Sequence, residues 1–162
     1  MQAKDVIRQI VELSHMVVRA YVEDLSDEDL LVRPVPAANH TAWQLGHVIS
    51  GTAQMLEALG HKAPRLPDGF AAAYTKDTAG SNDPAAFAKK AEYLSLVETV
   101  KTATLAAIEA TPDSALDAPG PEPMRHYAPT IASVLTLAGE HWLMHAGQVA
   151  VVRRKLGKPV LF

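Results

Sequence analysis

Apolar residues return at helical spacing along four long stretches of the chain, and prolines or glycines punctuate the gaps between them. From about Lys4 to about Glu23, Val6, Ile10, Leu13, Val17, Ala20 and Tyr21 recur every three or four positions. That period predicts an amphipathic helix with this stripe turned inward. Ile7, Val11 and Val18 widen the stripe, and His15 falls at its rim. Ser26-Asp27-Glu28-Asp29 starts a short helical piece, which Pro34 and Pro36 stop and turn into an extended connector. Asn39 caps a second helix that continues through Met55 and Leu59 to Gly60. It carries two adjoining faces, one of Leu45, Val48, Ile49, Thr52, Leu56 and Leu59, the other of Trp43, His47, Gly51 and Gln54.

His61 to Asn82 forms a long loop of the kind that often lies over a site. Within it Phe70 and Tyr74, four apart, predict one helical turn covering the end of the helices. Asp83-Pro84 opens a third helix reaching about Ala110. Pro112, Pro119, Pro121 and Pro123 mark the next connector, with His126 in it as a surface group. Thr130 caps a fourth helix that runs through Leu156 to Gly157. Arg153-Arg154-Lys155 load its last turn, where the helix dipole favours cations, and are expected in solvent. The pattern as a whole predicts an all-α fold. It is one domain over residues 1–162, a four-helix bundle with long crossover connections.

Composition narrows the chemistry. The absence of cysteine excludes disulfides, thiolate nucleophiles and cysteine-ligated metals, so any metal must be held by His, Asp or Glu. A net charge of −3, with both signs mixed along the chain, leaves no footprint for nucleic acid. No apolar run is long enough to span a membrane, and the first residues lack the apolar segment of a secretion signal. A cytoplasmic, soluble protein is the expectation.

The chemistry concentrates in Glu140-His141-Trp142-Leu143-Met144-His145-Ala146-Gly147-Gln148. Residues four apart stack on one helix face, so His141 and His145 can ligate one metal ion. Both interrupt the stripe Val134, Leu137, Met144, Gln148 and Val152. His47, on an inward face of the second helix, is the candidate third ligand. Three neutral imidazoles with an open position suit zinc or nickel foremost, with iron or copper as alternatives. The competing reading makes the three histidines ordinary polar groups of the core. Glu140 points about 100° away from His141 and is a carboxylate of the surroundings or of the surface. Gln148 can orient a ligand, and Trp43 can line a pocket.

Asn39-His40-Thr41-Ala42-Trp43-Gln44-Leu45-Gly46-His47, the His141/His145 segment and Arg153-Arg154-Lys155-Leu156-Gly157-Lys158-Pro159 together resemble the DinB/YfiT-like metalloenzyme family. The resemblance implies a four-helix bundle, commonly a homodimer. It also implies one metal-binding His in the second helix and a His-x-x-x-His pair in the last, at His47, His141 and His145. Some relatives are transferases or isomerases that use low-molecular-weight thiols. The expected function is therefore a metal-dependent enzyme of the thiol-transferase type, or a hydrolase on the same site, acting on a small molecule. The alternative is a non-catalytic metal- or ligand-binding protein of a stress response.

Overall fold

A computed structural model describes residues 1–162. Four α-helices make up the body: α1 (Ala3–Glu23), α2 (Thr41–Ala58), α3 (Lys90–Ala110) and α4 (Ile131–Lys155). The connectors hold only short 3₁₀ turns, and the sole β feature is one isolated bridge between Pro119 and Thr130. α1 and α2 stand on opposite corners, each packed against both α3 and α4. No helix is long and apolar enough to cross a membrane.

Local chemistry accounts for the helix ends, with two shifts from expectation. The N-cap of α2 is His40, not Asn39: its Nδ1 accepts from the Trp43 amide at 3.1 Å, the job a capping oxygen usually does. α3 begins at Lys90, later than Asp83. Asp83 does accept from the Ala85 amide, but it closes a separate 3₁₀ turn, Pro84–Ala86, and the chain then runs extended before α3. The expected Thr130 cap of α4 is present and accepts from the Ser133 amide. The turn expected at Phe70 and Tyr74 is also there, as a 3₁₀ helix whose two aromatic rings are buried.

The inward face of α1 is rotated from the expected stripe. Ile7, Val11, Ser14, His15, Val18 and Val22 are buried, whereas Val6 and Leu13 are exposed. Both stripes have helical spacing, and the close approach of α4 decides between them: a Cβ on Gly139 would crowd Val11 and Ile10, so α1 turns its Val11 side to α4. His15 thereby moves from the expected rim to the core. Its ring lies 4.5 Å from that of Trp142, its Nδ1 donates to the Val11 carbonyl at 2.9 Å, and its Nε2 is buried without a partner. Arg153 is a second correction. It is buried, not solvated, because its guanidinium meets the end of α1, where it pairs with the Asp24 carboxylate and donates to the Tyr21 carbonyl at 2.8 Å. The pairing holds the Asp24 carboxyl below the usual carboxylate range. Arg154 and Lys155 are exposed as expected.

Two anchors set the register of the functional end. Trp142, fully buried, donates from its indole nitrogen to Thr52 Oγ1 at 3.1 Å and so locks α4 against α2. Trp142 and Ala146 face the core; the residues just before them, His141 and His145, are turned by about 100° onto the edge that faces α2. The second anchor is the long loop. Arg33 donates to the carbonyls of Ala38, Ala79 and Ser81, His40 Nε2 meets the Ser81 carbonyl at 3.2 Å, and the Trp43 indole donates to Thr75 O at 3.1 Å. These bonds draw the loop over the first turns of α2.

Candidate metal centre

His47, His141 and His145 converge between α2 and α4, with ligand-capable nitrogens all within 4.8 Å of one another. The Nε2 atoms of His141 and His145 are 3.2 Å apart. Two nitrogens bound tetrahedrally at 2.0–2.1 Å from one metal ion stand roughly 3.4 Å apart, so this pair is already at ligand spacing. Trp43 holds the third ring: it stacks on His47 at 4.9 Å with the planes 7° apart. Trp43 thus backs His47 from the buried side; it was expected to line a pocket, and it is not in the wall of the recess that opens at His47.

The rings are set up as neutral donors. Burial lowers the pKa of His145 to about 3, and the neighbouring His141 and His47 push it in the same direction. Burial, with help from His47, lowers His141 to about 4. His47 is lowered as well, by burial, with the Tyr74 backbone pulling the other way. Each imidazole keeps a lone pair at neutral pH, and no carboxylate joins the cluster. Such a set of neutral nitrogen donors fits a divalent transition metal and does not suit calcium or magnesium, which take oxygen ligands.

Gln44 was not among the residues expected to matter. It is buried, its Nε2 donates to the Asn39 carbonyl at 2.8 Å, and this fixes Oε1 toward His145 Nδ1 at 3.2 Å. His145 must then carry its proton on Nδ1, which leaves Nε2 free toward His141. Metal-binding histidines are commonly oriented by such an outer partner. The only sequence signal was its spacing: Gln44 lies three residues before His47, on the same side of α2. Gln44→Ala is expected to weaken zinc binding about 10- to 100-fold while the helical fold persists, measured by competition with a chromogenic chelator. Glu140 and Gln148, in contrast, are exposed on α4 and hydrogen-bond to none of the three imidazoles. The α4 stripe is centred on Trp142 and Ala146, which turns both residues outward. His126 makes no approach to the cluster.

Tyr74 closes one side. A Cβ on Gly46 would fall within the Tyr74 ring, so only glycine at that position lets the loop seat against α2 beside His47. The Tyr74 hydroxyl is held by Tyr93 at 2.7 Å and by the Ala88 amide at 3.2 Å. Between this loop and α2 a recess of about 250 Å³ opens at His47, with Ser50, Gly51, Gln54, Tyr74 and Lys76 in its wall. A larger hollow of about 390 Å³ lies elsewhere, between the start of the long loop and the alanine side of α3, and includes none of the three histidines.

Comparison with known proteins agrees with this architecture. A sequence model of the DinB superfamily matches residues 10–149. The chain belongs to the DinB superfamily. The matched span runs from α1 to the end of the His141/His145 segment and so contains every residue of the candidate centre. Among solved structures, this DinB chain is similar to one described as the conserved protein of locus from Enterococcus faecalis. The TM-score is 0.71 at 18% identity, covering 98% of this chain and 99% of that one. That likeness concerns the fold. None of the curated proteins compared with the chain matches it.

Proposed function

We propose that this DinB protein binds one divalent transition metal through His47, His141 and His145, and that it is an enzyme of the thiol-transferase type. The observation that carries the proposal is the convergence of three neutral imidazoles beside an open recess, with two of them at ligand spacing. Zinc or nickel is the favoured metal, since nitrogen donors without carboxylate or thiolate suit both. When bound, the metal supplies a Lewis acid that favours the deprotonated form of a thiol or water at its open position.

The chain's own residues do the rest. Gln44 orients His145, and Trp43 keeps the His47 ring in plane. Tyr74 and its loop cover the centre on one side and leave the recess as the route for a small molecule. With no carboxylate in the cluster, the proton lost from a thiol has no built-in acid–base partner and leaves through the recess to solvent. A hydrolase would use the same centre with water in place of the thiol.

The test is consumption of low-molecular-weight thiols, followed with a model electrophile, for zinc- and nickel-loaded protein against chelator-treated protein. Metal-dependent loss of thiol supports the proposal. Metal bound at one equivalent with no turnover of any thiol would leave the non-catalytic binding role in its place.

A further inference from the structure

The recess beside His47 has a chemical character of its own. Its wall mixes polar groups of Ser50, Gln54 and Thr75 with apolar surface, and Lys76 is the single charged side chain in it. Ser50 stands one turn after His47 on α2, more than nine-tenths buried, and its hydroxyl has no partner within the protein. A serine within a helix ordinarily returns its hydrogen bond to the carbonyl four residues back, as Thr52 does to Val48 at 2.8 Å. Ser50 makes no such bond, and a buried hydroxyl left idle is unfavourable unless a ligand or water uses it. Gly51 contributes no side chain, so the wall stays low on the side of His141. At about 250 Å³ the recess is below the range of pockets that hold drug-sized ligands, roughly 300–1,000 Å³. One cation, one unused hydroxyl donor and no carboxylate together select a small anion.

We propose that this recess is the ligand pocket of the metal centre and takes a small molecule that bears a carboxylate. Lys76 is its ion-pair partner, and Ser50 is its buried hydrogen-bond donor. The proposal rests on the metal-centre reading and narrows its substrate class. The donor atom of the ligand lies toward the histidines and its carboxylate toward the loop. A carboxylate-bearing thiol satisfies both ends. Lys76 is exposed on a 3₁₀ turn of the loop, so changing it leaves the bundle core untouched.

Two probes of the same size separate the contributions: 3-mercaptopropionate and its neutral amide, 3-mercaptopropionamide. Each is titrated calorimetrically into cobalt-loaded wild type, Lys76→Gln and Ser50→Ala. Wild type is expected to bind the carboxylate about three- to fivefold tighter than the amide, the range of a partly solvated ion pair. Lys76→Gln should bring that ratio to about one with metal content unchanged. Ser50→Ala should weaken the carboxylate probe by about three- to tenfold. Equal affinity of wild type for the two probes, an unchanged ratio in Lys76→Gln, or no binding of either probe would overturn the pocket. No loss of affinity in Ser50→Ala would overturn the role of the hydroxyl. The cobalt–thiolate absorption band reads the other question independently. If the carboxylate preference depends on Lys76 while no such band forms, the pocket stands and the thiol reading fails.

Discussion

Alanine at His141 is expected to abolish stoichiometric metal binding. In the proposed site the affinity comes from three nitrogens on two helices, and His141 lies at its centre, 3.2 Å from His145 and with its ring 5.1 Å from that of His47. Loss of an outer partner of a metal ligand typically costs 10- to 100-fold in affinity. Loss of a ligand itself leaves a two-point site and is expected to exceed that range. The side chain is only part-buried, so the bundle should persist. The measurement is metal analysis of protein purified without a histidine tag, with circular dichroism to confirm the fold. About one equivalent is expected for wild type and less than a tenth for His141→Ala. Equal metal in the two proteins would show that the ligands are not these three.

The second large effect is acid instability of the metal-free protein. His15, with its pKa lowered from 6.5 to about 4 by burial, is neutral in the fold and protonates readily once unfolded. The unfolded chain therefore takes up protons first as pH falls. Stability is fully present above pH 6.5, declines toward pH 4, and stops declining below it as far as this residue is concerned. The slope is about 1.4 kcal/mol per pH unit for one such group, or roughly 3 kcal/mol over the window, a large part of a typical domain's 5–15 kcal/mol. The cause is structural: Nε2 has no acceptor nearby, so a proton placed there would be an unpaired buried charge against Trp142. His141 and His145 work in the same direction, with pKa values of about 4 and about 3. Urea unfolding of chelator-treated protein between pH 7.5 and 4.5 should show this decline, and His15→Leu should make it shallower by one proton. An identical slope in that variant would mean that His15 is not neutral in the fold. In metal-loaded protein, protons compete with the metal for His141 and His145, so acid should first release the metal.

Much of the bundle was legible from local rules. The helix-forming stretches, the stops at Gly60 and Gly157, the Thr130 cap and the aromatic turn at Phe70 and Tyr74 each depend on residues close together in the chain. The His-x-x-x-His pair was legible for the same reason, since four residues along a helix is one turn. Apart from the shifted α2 cap and the later start of α3, what went astray depended on neighbours far along the chain. The α1 stripe has two apolar faces of similar strength, and only contact with α4 selects the one containing His15. Arg153 reads as a solvated last-turn cation until Asp24 is brought beside it.

The sequence by itself determined a four-helix DinB bundle and the three histidines able to meet in it. Helical periodicity and capping act over a few residues, and the family pattern spans the segments that carry those rings. Tertiary structure alone decided how the rings are held, with Gln44 against His145, Trp43 flat on His47 and Tyr74 over Gly46, and it placed an unpartnered Ser50 and Lys76 in the wall of one recess. Hydrogen bonds and ring contacts between α2, α4 and the long loop join residues up to 101 positions apart. Spacing along one helix cannot encode them, because they depend on the angle and register at which packed elements meet.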